Sequence, residues 1–244
     1  MPTVCPTAEK ISPTASVLYL ICRSSTHSGC SIKLFNSRMP FRLFRSAVAH
    51  LTLVGCATVV VAACQPHYED LPTFSDDRHL LQVVVETPAG SNHELRYSLR
   101  TREFSPVLRA GTARVVQFLP YPTNVGFIPS TQMPATGQRP AAPQTALVLT
   151  ESVEPGTVLE VLPVAMLLLD NAGEMESVVV TVPARPSQQV LPVSSWQELK
   201  AQYPAVPELL RLWYQNHAGR GQVRVVGWRD ENAALQHVRT IQRR

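Results

Sequence analysis

From Leu80 onward the hydrophobic residues of this chain come in short runs, and that constrains its fold more than any other feature. Leu81–Glu86, Leu95–Leu99, Ala113–Leu119, Ala146–Thr150, Val158–Leu169, Ser177–Val182 and Val223–Trp228 are apolar or β-branched, and Pro, Gly, Asn and Ser separate them. Branched side chains lose little freedom on a pleated surface, and the separating residues are those that reverse a chain. Regular short strands with turn signals mean a barrel or a sandwich. Helical signals are confined to the end. Ser194 and Ser195 precede Trp196-Gln197-Glu198, an N-cap followed by an acidic first turn, for a helix running to about Tyr203. Pro207-Glu208 open a second helix that ends near Gly219, with Leu209, Leu210, Leu212 and Trp213 as its apolar face. Asp230 caps a third over Glu231–Ile241.

The length, 244 residues, allows one domain of ordinary size plus a leader and is short for two independent cores. With 45% hydrophobic and 16% charged residues, the chain is not of the disordered acidic kind. The net charge of +4 hides an asymmetry: residues 1–64 hold six basic residues against Glu9, and the rest holds 16 basic and 17 acidic. That balance excludes the polybasic surface a phosphate-backbone binder needs, so nucleic acid is not an expected partner. All five cysteines, Cys5, Cys22, Cys30, Cys56 and Cys64, lie in the same leading part. After Cys64 the chain can hold no disulfide framework, cysteine-based zinc site or thiol nucleophile.

The last of these cysteines ends a distinctive segment. From Met39 the chain reads MPFRLFRSAVAHLTLVGCATVVVAACQP, with Arg42 and Arg45 first, then an almost uninterrupted apolar stretch from Ala47 to Ala63, the layout of an export signal. Val61-Ala62-Ala63-Cys64 resembles the lipobox of bacterial lipoproteins, in which cleavage before the cysteine leaves a thiol that is diacylated. The resemblance implies a signal peptide over 39–63, lipidation at Cys64, and a membrane partner at the bacterial cell envelope. Gln65 in place of Asp does not favour inner-membrane retention in that family, which points to the outer membrane or the periplasmic face. Two acyl chains anchor stably where one is marginal. The alternative is an uncleaved anchor of about 17 apolar residues, at the short limit for spanning a bilayer. A signal belongs at an N-terminus, so Met39 is the expected start and 1–38 a mis-assigned N-terminal extension. Residues 64–79, polar and proline-containing, are expected to form a tether to a domain over 80–244.

Three quoted segments carry a second resemblance. Glu86-Thr87-Pro88-Ala89-Gly90-Ser91-Asn92 and Val115-Val116-Gln117-Phe118-Leu119-Pro120-Tyr121-Pro122-Thr123-Asn124-Val125-Gly126-Phe127-Ile128-Pro129-Ser130-Thr131 are followed by Glu151-Ser152-Val153-Glu154-Pro155-Gly156-Thr157-Val158-Leu159-Glu160-Val161. They are similar to E-x-P-A-G-x-N, to V-x-x-F-L-P-Y-P-x-N-Y-G-F-I-P-S-T and to the matching later segment of the soluble inorganic pyrophosphatases, over about residues 80–242. The resemblance implies a mainly β, α+β fold: a closed five-stranded OB-like β-barrel over about residues 80–182 with C-terminal covering helices near 195–203 and 207–218. It also implies magnesium-dependent hydrolysis of pyrophosphate to two phosphates, and a homo-oligomer. In that chemistry divalent ions bridge the phosphates and the attacking water, which requires clustered carboxylates for a hard cation, with Lys, Arg and Tyr on the phosphate oxygens.

Position by position, the resemblance implies that the opening glutamate is kept as Glu86, the phosphate-gripping arginine as Arg114 and the first tyrosine as Tyr121. The family's Lys and Glu fall on Glu94 and Arg96, reversing both charges, and its second tyrosine falls on Val125. The metal-binding D-G-D-x-x-D falls on Pro140-Ala141-Ala142-Pro143-Gln144-Thr145. Two further aspartates fall on Asn171 and Glu176, a lysine on Val178, and a late Tyr-Lys pair on His217-Ala218. Composition agrees: beyond the tether Asp170 and Asp230 are the remaining aspartates, and Lys200 is the one lysine after the leader.

The expected result is a catalytically inactive, lipid-anchored binding or structural module that retains no magnesium. Glu86, Arg114 and Tyr121 are phosphate-binding remnants with a small anion or phosphate as ligand, and Asp170 and Glu176 are metal-site remnants. The alternative is a weak diphosphatase or phosphoester hydrolase working through Glu86, Arg114, Asp170 and Glu176. For Glu86 an exposed strand-end carboxylate, and for His79, His93, His217 and His237 surface positions, are the plainer expectations. No G-x-S-x-G context supports a serine hydrolase.

Overall fold

The structure, a computed structural model, describes residues 67–137, 140–219 and 221–243. The leader and Cys64 lie outside the described residues. Ten strands and three helices follow in chain order: β1 Leu81–Thr87, β2 Leu95–Ser98, β3 Glu103–Pro106, β4 Leu108–Arg109, β5 Thr112–Ala113, β6 Asn124–Met133, β7 Ala142–Val148, β8 Val158–Asn171, β9 Glu174–Pro183, α1 Trp196–Gln202, α2 Ala205–Asn216, β10 Val223–Asp230 and α3 Glu231–Ile241. β1 pairs with β6, β6 with β7, β7 with β9 in parallel, β9 with β8, and β8 back to β1, so five strands close into a ring. Closure leaves these strands no free edge. β8 is long enough for two partners. Val158–Val161 closes the ring on β1, and beyond the register shift at Pro163 and Ala165 the strand pairs with β10.

The two-residue side-chain period of a strand divides the core into two clusters. Leu81, Val83 and Val85 of β1, Ile128 of β6, Ala146 and Val148 of β7, Leu159 and Val161 of β8 and Val179 of β9 fill the ring, joined by Ala234 and Val238 of α3. The opposite faces of β7, β8 and β9 present Leu147, Leu167, Val180 and Val182 to Leu199 of α1 and Leu210, Trp213 and Tyr214 of α2. The mainly β ring with covering helices thus stands as expected. Among the described residues no helix is long and apolar enough to cross a membrane.

Four local expectations are corrected. Asn124–Met133, which is absent from the runs expected as strands, is the ring strand β6. Its Pro129 sits where the pairing with β7 is irregular, between Ile128 and Met133, and Ser130 has φ of 50° there. A bulge is where a strand tolerates proline. Gly126 is needed in it, because a Cβ would run into the Val84 carbonyl. Of Ala113–Leu119, read as one strand, only Ala113 in β5 and an isolated bridge of Val115 to His93 pair, and residues 117–119 bend: Asn92 Nδ2 donates to the carbonyls of Val116 and Phe118, and Trp213 Nε1 to those of Leu119 and Pro120. Side chains satisfy the carbonyls that a ladder would otherwise take.

In α2 the buried residues are Pro207, Leu210, Trp213 and Tyr214, while Leu209 and Leu212 are exposed. Consecutive leucines cannot share one stripe at 3.6 residues per turn. Finally, the expected tether is part of the domain from His67 on. Ser130 Oγ donates to the Leu71 carbonyl, buried Thr73 donates to the Pro129 carbonyl, and Tyr68 packs edge-on against Tyr97 and Phe104.

Candidate functional site

An open cavity of about 550 Å³ lies where β1, β2, β6, β7, β8 and β9 meet the C-terminal end of α2. All fourteen positions that the resemblance assigned to chemistry line it: Glu86, Glu94, Arg96, Arg114, Tyr121, Val125, Pro140, Ala142, Thr145, Asn171, Glu176, Val178, His217 and Ala218. The fold therefore assembles the site, and the side chains decide what it can do.

Glu94 dominates one side. It is 7% exposed and accepts from Arg114 Nη1 at 2.6 Å and from Arg96 Nε at 3.1 Å. A buried carboxylate needs such partners, and the two guanidinium groups supply them, Arg96 from a largely exposed side chain. Tyr121 is buried against the Trp213 ring, 4.7 Å away between centroids, and burial together with Glu94 pushes its phenol well above the usual range.

Glu86 is half-buried, which corrects the expectation of an exposed strand end. Its Oε1 accepts from the Tyr97 backbone N–H at 2.8 Å. Burial raises its pKa to about 7; nearby Glu94 adds to the rise, while the Tyr97 hydrogen bond and Arg96 oppose it.

Asp170 is not among the cavity's lining residues. It accepts from Arg224 Nη2 and from the Gly173 N–H, both at 2.8 Å, and the Arg224 bond holds its carboxyl below the usual range. Its neighbours Leu169 and Asn171 line the cavity, and alternation along β8 turns Asp170 to the other face. Glu176 does line the cavity, accepting from Asn171 Nδ2 at 3.1 Å. Two histidines are not the surface residues expected. His217 is half-buried and stacks on Trp213 at 4.3 Å, with burial lowering its pKa. His79 and His93 are exposed.

His237 belongs to a half-buried polar network with Gln144 and Ser177 that no sequence signal marks, since Gln144 and His237 are 93 residues apart. A serine hydroxyl 3.1 Å from a histidine Nε2 resembles a nucleophile beside its base. The network excludes that role. Gln144 Nε2 donates to the Thr145 and Ser177 carbonyls, which fixes Oε1 as the atom 2.9 Å from His237 Nε2. An acceptor at that distance requires the proton on Nε2, so the imidazole has no lone pair there to take the Ser177 proton.

A magnesium cluster does not fit this donor set. The positions that would carry carboxylates on the β7 wall are Pro140, Ala142 and Thr145. Among the described residues, the group of three potential ligands whose donor atoms come within 4.8 Å of one another is His67, Glu69 and Asp70, in the turn before β1.

The comparisons with known proteins agree on one family. The inorganic pyrophosphatase family model matches residues 83–244. The inorganic pyrophosphatase of Thermus thermophilus is 29% identical over 181 residues, covering 70% of this chain and 93% of that protein. That of Halobacterium salinarum is 28% identical over 177 residues, covering 72% and 93%. The crystal structure of the Thermus thermophilus protein superposes with a TM-score of 0.61 at 26% identity, over 72% of this chain and 97% of that one.

Proposed function

The chain belongs to the inorganic pyrophosphatase family, and from that premise we propose that this member does not hydrolyse pyrophosphate and serves as a lipid-anchored binding module at the bacterial cell envelope. The observation that carries the proposal is the wall at the start of β7: Pro140, Ala142 and Thr145, the metal-binding positions of the resemblance, line the cavity without a carboxylate. In the family the divalent ions supply both the activated water and the charge neutralisation, and without their ligands neither has a holder. Arg114 gives one of its N–H donors to Glu94, so part of its charge is already balanced within the protein before any phosphate or small anion arrives. The placement of Asp170 outside the cavity removes one of the four residues the weak-hydrolase alternative needs.

The test is magnesium-dependent release of phosphate from pyrophosphate by the purified protein. The expected result is no turnover above the uncatalysed rate. Turnover that requires magnesium and disappears in Arg114→Ala would overturn the reading. Anchoring rests on the Arg-led apolar run ending in Ala62-Ala63-Cys64. Mass spectrometry should find Cys64 acylated and N-terminal, and an unmodified peptide spanning Ala63 to Gln65 would end that part of the proposal.

A further inference from the structure

An anchor at Cys64 would hold this domain on a short lead. Cys64 is three residues from His67, and three peptide units span about 10 Å at full stretch. Just beyond, the chain is bound to the domain. The Tyr68 ring packs 5.2 Å from that of Tyr97 and 5.3 Å from that of Phe104, and the Tyr97 hydroxyl donates to Glu69 Oε2 at 2.7 Å. Tyr97 and Phe104 pair across β2 and β3, and the next pair, Ser98 with Glu103, closes the tip of that hairpin. A bilayer that holds Cys64 therefore lies within reach of residues 99–102.

The tip has the composition of an interfacial segment. Leu99 is 62% exposed, and Arg100 and Arg102 are exposed and form no salt bridge among the described residues. The tip's backbone is closed on itself: the Arg102 N–H donates to the Ser98 carbonyl at 2.7 Å, and the Thr101 N–H to Ser98 Oγ at 3.3 Å. The acidic groups alongside are engaged locally or sit at the base. Glu69 holds Tyr97 and is also attracted by Arg102, Asp70 Oδ2 lies 3.3 Å from His67 Nδ1, and Glu103 is opposite Ser98. A single exposed leucine is ordinary on a protein surface. Here it stands beside two unpaired arginines and within reach of an acylation site, which joins apolar insertion to phosphate binding in one turn.

We propose that the tip of the β2–β3 hairpin is a second contact with the lipid surface, with Leu99 entering the headgroup layer and Arg100 and Arg102 taking lipid phosphates. This deepens the lipid-anchor reading and rests on it. Glu69 and Leu99 also line the cavity, so the contact sets one rim of the cavity at the bilayer.

The test uses the acylated protein purified from membranes. From Cys64 on the chain has no other cysteine, so Leu99→Cys supplies a unique thiol for an environment-sensitive fluorophore. The same label at Gln197→Cys, exposed on α1, is the control. Both are reconstituted in phosphatidylethanolamine vesicles with about a quarter phosphatidylglycerol and a lipid that carries a spin-label quencher near its headgroup. The label at 99 should be quenched several-fold more than the label at 197. Arg100→Glu combined with Arg102→Glu should lower the ratio of quenched to unquenched label at 99 by about tenfold or more. Equal quenching at the two positions, or quenching at 99 unchanged by the double reversal, would overturn the proposal. So would shielding of position 99 that grows with protein density in the vesicles and ignores the quencher lipid, which would assign the tip to a second copy of the chain. Mass spectrometry of the same sample showing Cys64 unacylated would instead overturn the reading beneath, so the two failures are distinguishable.

Discussion

The ring interior and the cavity wall are cut from the same strands and have been treated in opposite ways. On β1, Val83 and Val85 are fully buried in the ring, and Glu86, the next residue, lines the cavity. On β7, Ala146 and Val148 fill the ring, while Ala142 and Thr145 at the other end of the strand line the cavity. Inside the ring the residues are the apolar ones that closure requires. In the wall, Glu86, Arg114 and Tyr121 keep the residue types of the resemblance, while Val125, Pro140, Ala142, Val178, Glu94 and Arg96 depart from them. Strand alternation makes this possible, because neighbouring residues on one strand answer to different surroundings. Packing and chemistry can then change independently, and a fold can outlast its reaction.

The largest effect should therefore come from the interior. Ile128 is fully buried in the ring, and Ile128→Ala should cost about 2–5 kcal/mol, read as a lowered midpoint in urea unfolding. A loss under about 1 kcal/mol would mean that the ring is loosely packed and that the contrast with the wall is not one of packing.

An intermediate effect should come from Glu86, where the wall touches the core. Its folded pKa of about 7 lies above its ordinary value, so the folded state binds more protons than the unfolded state between about pH 4.5 and 7. The favourable contribution is fully present below that window and is lost as pH rises through 7. From the size of the shift, the loss is at most about 3 kcal/mol. Glu86→Gln should flatten the decline and be the more stable protein at pH 8. A wild-type profile unchanged between pH 5 and 8 would show that the carboxyl is more solvated than the structure places it.

These two residues also illustrate what the sequence could reveal. The runs around β1, β8 and β9 were legible because each combines branched residues with turn signals at both ends. β6 was not, because Gly126, Pro129 and Ser130 read as turn chemistry, and only the close approach of Val84 and the bulge explain them inside a strand. In α2 the presence of a helix was legible, but its buried face was misread, since adjacent leucines obscure a period that Leu210, Trp213 and Tyr214 follow. For the site, the motif spacing located positions that converge on one cavity, while Asp170, the added remnant, lies outside it. What stayed hidden was which partners the side chains find across long separations. Examples are Arg114 on Glu94, 20 residues away, Asp170 on Arg224, 54 away, and the docking of Thr73 on Pro129, 56 away. Pairings of that kind are set by register and strand alternation, which a linear pattern does not display.

The smallest effect should come from returning a carboxylate to the wall. Ala142 is partly exposed at the start of β7 and pairs with Met133 across an irregular stretch, so an aspartate there displaces little packing. Aspartate is a poor strand former, and that cost together with proximity to Glu176 should total about 1 kcal/mol or less. The measurement is the urea midpoint of Ala142→Asp beside that of Ile128→Ala. A single added carboxylate also leaves the family's other positions as Pro140, Thr145 and Asn171, so magnesium should not raise the midpoint of this variant. Were Ala142→Asp to unfold the domain as readily as Ile128→Ala, the wall would be part of the packed core, and its altered residues would reflect packing demands rather than a change of ligand. A magnesium-dependent gain in stability would have the opposite meaning: carboxylates already in the cavity, Glu86 and Glu176 foremost, would lie closer to a working metal site than their separation on β1 and β9 implies.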